Sequence, residues 1–399
     1  MAATRPHPML DRRAWIAGCA AAFAGARASA GARPIDRIEG ALRPVVSQAV
    51  TEGRAPGCSA AVLLDDQTMV TCVAGWADPD LHAPMTPATR MMSGSTGKTF
   101  CAATCMSLVS EGRLSLDAPI APIFADEPWY KRLPNAPDLT LRILLMHRAG
   151  FPQFLDLADF QSEYLLDSLT GRDVGYSPRK MLSFILGHKP LFPAGHGYHY
   201  SDLEYHLVGL TMEKVTGKSY YALLAERVLS KLPTRDIIPS NTPNLPGLAA
   251  GYARGDLIQA LAGNTGKTTD RPGHLRKNPA LEYTGGGLAL TPRSLALFYS
   301  RLANGEIIPR AAFAEMLASS TFVPTTTPGV DNRYGLGVEI TTRPLFGRYI
   351  NHSGYFPGYN ANVAYYFDHG FAAAVQVNTD HGPDIYDLLR SVAKAVISA

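Results

Sequence analysis

Three serines in this chain stand three residues ahead of a lysine: Ser95 before Lys98, Ser177 before Lys180 and Ser391 before Lys394. On a helix, positions i and i+3 share a face, so each amine lies within reach of its hydroxyl. A neutral amine can take the Oγ proton as the serine attacks a carbonyl, provided burial or nearby cations bring the lysine down from its usual value of about 10.4. Because the pattern occurs three times, it selects nothing without context. Ser391 sits in a terminal helix with no later polar partner. Ser177 is followed by Pro178 at a helix start, where an N-cap role explains it. Ser95 follows a β-rich hairpin and the run Arg90-Met91-Met92-Ser93-Gly94 and opens a helix. Backbone N–H groups and the helix dipole favour developing negative charge there.

The company of Ser95 is more specific than its spacing to Lys98. Downstream come Glu111-Gly112-Arg113-Leu114-Ser115-Leu116-Asp117-Ala118-Pro119 and the segment Thr140 to Pro152, with His147-Arg148-Ala149-Gly150-Phe151 at its end. Then follow Tyr200-Ser201-Asp202, Gly285-Gly286-Gly287-Leu288 ahead of Thr291-Pro292, and His352-Ser353-Gly354 with Tyr355-Phe356-Pro357-Gly358 behind it. In order and spacing these resemble the serine β-lactamases, D-Ala-D-Ala carboxypeptidases and family VIII esterases, in particular the class C β-lactamase-like branch, over nearly all of residues 35 to 399.

The resemblance implies an acyl-enzyme mechanism and a role for each matched residue. Ser95 is the nucleophile, Lys98 accepts its proton, and Tyr200 relays protons to the leaving group and from the deacylating water. The Ser95 and Tyr355 N–H groups form the oxyanion hole, while Asp202, His352, Ser353 and Gly354 line the substrate site. Tyr200 needs positive charge nearby to act as a phenolate, and Lys98 is expected to supply it. Asp202 stands where the family usually has asparagine, so an acceptor-only carboxylate replaces an amide donor and is placed to pair with Lys98. His352 replaces the usual lysine, and a mostly neutral imidazole attracts a substrate carboxylate less than an ammonium does. Both changes point away from efficient β-lactam turnover and toward an esterase, a carboxypeptidase or a D-amino-acid peptidase. A glutamate-assisted deacylation of the class A type has no matching Glu-x-x-Leu-Asn segment.

Positioning these residues requires strands at both ends of the chain. Ile35, Ile38, Leu42, Val45, Val46 and Ala49 recur at helical spacing. Cys58 to Leu64 and Thr68 to Trp76 read as a hairpin closed at Asp65-Asp66-Gln67. Helical patterns dominate the middle: Lys98–Glu111, Leu139–Met146, Arg179–Leu186, Asp202–Val215 and Pro292–Leu302. Strand patterns return at Tyr334–Thr341, Arg348–Asn351, Asn360–Phe367 and Phe371–Asn378, followed by a helix over Asp384–Ile397. The expected class is α+β: an antiparallel sheet flanked by helices, built from residues 31–94 and 290–399, with a mainly helical insertion over 95–289. The resemblance implies the β-lactamase/transpeptidase-like form of that class. Long loops at Ala125–Asp138, Phe154–Tyr176 and Pro233–Pro279 are expected to shape the cleft.

Residues 1–30 read as an export signal, with Arg12-Arg13, the apolar stretch Ala14 to Ala26 and the small-x-small site Ala28-Ser29-Ala30. The apolar stretch is too short to span a bilayer, and Asp11-Arg12-Arg13-Ala14-Trp15-Ile16 resembles a twin-arginine signal, so an exported, periplasmic protein is expected. Ile16-Ala17-Gly18-Cys19 also resembles a lipoprotein box, though only five residues separate Arg13 from Cys19. The net charge of +3 is accounted for by Arg5, Arg12, Arg13 and Arg27 against Asp11, which leaves no basic surface for nucleic acid. Cys58, Cys72, Cys101 and Cys105 show no metal-binding spacing, so no metal and no cofactor are expected. Cys58 and Cys72 are either buried thiols or a cross-hairpin disulfide. The expected partner is a small-molecule or peptide substrate. An acyltransferase sharing the acyl-enzyme, and a non-catalytic penicillin-binding-like sensor, are the alternatives. The sensor fits poorly because Ser95, Lys98 and Tyr200 are all present.

Overall fold

The structure is a computed structural model that describes residues 35–65, 67–172, 175–255 and 265–399. The export signal and Cys19 lie outside them. Nine strands form one antiparallel sheet. In chain order they are β1 (Gly57–Leu64), β2 (Met69–Asp78), β3 (Ala83–Pro84), β4 (Thr321–Phe322), β5 (Asp331–Tyr334), β6 (Glu339–Arg343), β7 (Gly347–Phe356), β8 (Tyr359–Tyr366) and β9 (Phe371–Val377). Their spatial order is β4-β5-β6-β7-β8-β9-β1-β2-β3. The two ends of the chain meet where β1 pairs with β9, from Cys58 opposite Val377 to Leu64 opposite Phe371.

β1 and β9 are buried at every position, so both faces of the sheet centre are covered. On one face the first helix, Ile35–Thr51, and the last, Ile385–Ser398, pack Ile38, Leu42, Val392 and Val396 against Ala60, Val62 and Val375. On the other, Leu295 and Phe298 of the helix Pro292–Ala303 join Leu63, Ala372 and Ala374 in a core shared with the helix Gly97–Ser110. That last helix is buried on nearly all sides, and Lys98 in its first turn is fully buried.

Most expected elements fall within two residues of their places. The Tyr334–Thr341 strand is instead two strands, β5 and β6, separated by a turn at 335–338. The short strand expected at Arg348–Asn351 runs on through His352-Ser353-Gly354 to Phe356. Helices also form at Ala158–Leu169, Tyr220–Arg227 and Arg310–Ala318. The first of these occupies what reads as a loop in the sequence. Cys58 and Cys72 are free and buried, since the register sets them opposite Ala74 and Ala60 rather than each other. No described helix is long and apolar enough to cross a membrane.

Candidate active site

Met91–Met92 pairs with Leu288–Leu290, and the Ser93 N–H donates to the Leu288 carbonyl at 2.9 Å, which anchors the tight turn Gly94–Thr96. Ser95 sits in that turn, half-buried and facing the main cleft, at the start of the helix Gly97–Ser110. The end of β7 runs directly against it. A Cβ on Gly354 would lie 2.0 Å from the Ser93 carbonyl oxygen and 3.1 Å from the Ser95 nitrogen. One on Gly94, whose φ is +47°, would lie 2.4 Å from the Tyr355 nitrogen. These two glycines let the end of β7 and the turn that carries Ser95 pack backbone against backbone. Ser95 is also within the first helical turn, where N–H groups have no intrahelical acceptor.

Lys98 spends its three protons on three acceptors: Ser95 Oγ at 3.0 Å, the Gly285 carbonyl at 2.7 Å and Asp202 Oδ1 in close contact. The other two serine–lysine pairs have no such arrangement. The Ser177 hydroxyl accepts the Lys180 N–H as an N-cap while the Lys180 ammonium reaches Glu163 at 2.7 Å, and Ser391 and Lys394 are exposed.

Asp202 opens the helix Asp202–Thr216 and accepts the Gln153 amide at 2.7 Å on its second oxygen. Burial alone would raise this carboxyl. The charge and hydrogen bond of Lys98, with the Gln153 hydrogen bond, prevail and hold it below its usual value. Tyr200 lies beside them, with the Lys98 ammonium 4.8 Å from its ring centre. Lys98 was expected to draw this phenol down. Burial pushes it well above its usual value instead, Asp202 adds to the rise, and only the Ser95 hydroxyl acts strongly against it. With Lys98 neutralised by Asp202, Tyr200 is a phenol rather than a phenolate.

Three side chains in the site carry no role in the sequence reading, although His147 lies in the motif segment that ends the stretch Thr140 to Pro152. Gln153 bridges to Asp202. His147, fully buried at φ +56°, accepts the Ser201 N–H on Nδ1 at 3.2 Å, takes the His199 N–H on its carbonyl at 3.0 Å and packs against the Tyr200 ring with centres 4.1 Å apart and planes tilted by 38°. It thereby hangs the Tyr200-Ser201-Asp202 segment on the Thr140–Pro152 segment. Glu204 Oε2 lies 3.7 Å from His147 Nδ1, yet they form no ion pair: burial pushes the carboxyl up and the imidazole well down. The third is Glu282, on the cleft wall.

The cleft is about 400 Å³, and Ser95, Tyr200, Asp202 and Tyr355 face it. His352, Ser353 and Gly354 are not on its wall. The His352 ring is turned inward, its Nδ1–H donating to the Ser353 carbonyl at 2.6 Å and its Nε2 accepting from the Tyr334 hydroxyl at 2.9 Å. Burial, then the Lys98 charge, brings His352 down to about 3, so it is neutral. Alternation along β7 sends Ser353 the other way, to the Tyr386 hydroxyl at 2.6 Å. Of the three expected specificity loops, Phe154–Tyr176 and Pro233–Pro279 contribute to the wall, and Ala125–Asp138 does not. Among the described residues no group of His, Cys, Asp and Glu could hold a metal ion.

Among solved structures the fold is similar to a D-stereospecific amidohydrolase from Streptomyces sp., with a TM-score of 0.74, 24% identity and coverage of 90% of this chain and 98% of that one. It is also similar to the D-amino acid amidase from Ochrobactrum anthropi SV3, with a TM-score of 0.75, 23% identity and coverage of 90% and 99%. In sequence it is 26% identical over 192 residues to the protein flp of Staphylococcus aureus, 47% of this chain and 36% of that one. The unguisins hydrolase ungD' of Aspergillus campestris is 24% identical over 364 residues, 87% of this chain and 62% of that one. The chain thus spans from about a third to under two thirds of the length of these relatives. The Beta-lactamase family model matches residues 42–396, from the first helix to the last, and with that extent of match the chain belongs to the β-lactamase family.

Proposed function

We propose that this protein is a serine hydrolase that cleaves a small amide or ester through an acyl-enzyme on Ser95, as an esterase or a D-amino-acid amidase or peptidase. The observation that carries the reading is the Lys98 ammonium 3.0 Å from Ser95 Oγ and in contact with Asp202. Lys98, already donating three times, takes the Oγ proton as it passes one of its own to the Asp202 carboxylate. Oγ bonds to the carbonyl carbon, and the oxyanion is held by the Ser95 and Tyr355 N–H groups. The Tyr200 phenol gives its proton to the leaving amine or alcohol as the scissile bond breaks. Water then attacks the acyl-enzyme by the same steps, with proton return through Tyr200 and Lys98. The apolar wall of Phe154, Phe160 and Leu165 suits a large apolar acyl group. The likeness in fold to a D-stereospecific amidohydrolase and a D-amino acid amidase makes D-amino acid amides the first substrates to try.

The test is intact-mass measurement after mixing with p-nitrophenyl butyrate, D-phenylalanine amide, a D-Ala-D-Ala peptide or a β-lactam. A mass gain absent from Ser95→Ala identifies the acyl donor, whereas ester hydrolysis that survives Ser95→Ala overturns the reading. We further propose that the protein acts outside the cytoplasm after removal of residues 1–30, on the strength of Arg12-Arg13 and Ala28-Ser29-Ala30. The N-terminal sequence of protein recovered from periplasm tests this.

A further inference from the structure

Glu282 ends the short turn Pro279–Glu282, three residues before the Gly285 carbonyl that holds Lys98. Its carboxyl lies over Gly286, where an added Cβ would come within 2.6 Å of Oε1, and Oε2 accepts the Gly287 N–H at 3.3 Å. It therefore shares the cleft wall with Ser95 and Asp202.

Among the described residues no side-chain cation forms an ion pair with this carboxyl, though the Lys98 charge acts on it weakly. Lys98 is committed to Ser95, Asp202 and Gly285, and the neighbouring Asp202 repels a second negative charge. His206 bonds the Glu282 backbone carbonyl at 3.2 Å, and burial brings that imidazole down to about 4, so it is neutral. Tyr221 faces Glu282 as a phenol, since burial and then Glu282 itself push it up. Arg276, on the same cleft, gives its Nε proton to the Thr269 carbonyl at 3.3 Å. The reactive cluster is already neutral in charge, Lys98 against Asp202, so an ionised Glu282 is one negative charge in excess. A carboxylate withdrawn from water without a partner is costly, and a cationic ligand removes that cost.

We propose that Glu282 binds the ammonium group of the substrate, so that this cleft selects acyl donors carrying a free primary amine close to the scissile carbonyl, with the apolar side chain of the donor against Phe154, Phe160 and Leu165. The inference rests on the reading of Ser95 as the acylated nucleophile and narrows its substrate class. Burial, with Asp202 adding to it, raises the carboxyl to about 8, so the empty cleft holds it mostly as the neutral acid at neutral pH. An arriving ammonium displaces that proton to solvent. Binding of amine-bearing donors therefore tightens as pH rises from about 6 toward 8, and binding of amine-free analogues does not.

Calorimetry on the mature Ser95→Ala protein reads binding without requiring turnover. D-Phenylalanine amide and 3-phenylpropionamide, which differ by the amine, are titrated at about pH 6 and about pH 8 in two buffers of different ionisation enthalpy. The expected result is at least about tenfold tighter binding of the amine-bearing probe at the higher pH, with about one proton released per probe bound at the lower pH, and loss of that preference when Glu282→Gln is added. Equal affinity for the two probes overturns the proposal. So does a Glu282→Gln change that weakens both probes equally or neither. If Glu282→Gln does not fold, the preference and proton release of the unsubstituted site still decide the matter. Acylation of Ser95 by p-nitrophenyl butyrate is measured separately in protein with Ser95 intact. Failure of this ester and of D-phenylalanine amide alike to acylate Ser95 removes the hydrolase reading, while acylation without amine preference removes this inference alone.

Discussion

The Tyr334 hydroxyl and His352 Nε2 lie 2.9 Å apart in a fully buried contact that ties β5 to β7 directly behind Tyr200, whose ring centre is 6.4 Å from that of His352. The imidazole is thus a fastener within the wall of the site. Replacing it with alanine leaves a buried hydroxyl without an acceptor, and His352→Ala is expected to lose about 1–3 kcal/mol in urea unfolding. Because His352 is held near 3, the pH–rate profile between about pH 5 and 8 should contain no step that disappears in this variant.

Asp202 gives an acid-stability signature. Its folded carboxyl is held below the unfolded value of about 3.9, so the stability it contributes is fully present above that pH and lost as pH falls through the lower folded value. Asp202→Asn should lower stability by about 1.5–3 kcal/mol at neutral pH, with the difference from the parent shrinking toward zero in strong acid. Urea midpoints measured across that range check the sign.

Gly354 has no room for a side chain. A methyl there meets the Ser93 carbonyl at 2.0 Å and forces β7 away from the nucleophile turn. Gly354→Ala is expected to cut kcat by about 10²–10³-fold, the usual cost of a lost oxyanion donor. Steady-state kinetics on an activated ester reads the loss, and an unchanged kcat would show that the Tyr355 N–H plays no part.

His147 touches no cleft surface, yet it holds Ser201 by hydrogen bond and Tyr200 by a tilted ring contact. His147→Ala should lower kcat by about 10²-fold with KM little changed, the pattern of a displaced proton donor rather than a lost binding contact. A change confined to KM would assign His147 a different role.

How far the site could be read from the sequence depended on whether geometry was local. Ser95 and Lys98 share one helical turn, and Tyr200 and Asp202 lie at a helix start, so spacing and order found them. Glu282 leaves no such trace, because the four-residue turn Pro279–Glu282 and the fold of Gly285–Gly287 carry its carboxyl to the cleft, not a repeat or a cap. The helix Ala158–Leu169 was hidden for another reason. It buries only Phe160 and Asp167 while Leu166 and Leu169 stay exposed, so its apolar residues form no clean stripe. The single strand expected at Tyr334–Thr341 meets β6 at its end but touches β5 only at Tyr334, because the turn at 335–338 divides it. The inward turn of His352 needed knowledge of Tyr334, a residue on another strand of the sheet.

The three acceptors of Lys98 lie 3, 104 and 187 residues from it along the chain. Only the first is available to a growing or partly folded polypeptide, and the oxyanion donor at Tyr355 is made later still. Such distant closures come late because loop entropy opposes them until the rest of the structure compensates. Under the proposed mechanism, acylation of Ser95 would therefore report on complete folding. A chain missing β7 should hold Ser95 as an ordinary, unreactive serine, which leaves the nascent enzyme chemically silent until its last strands are in place.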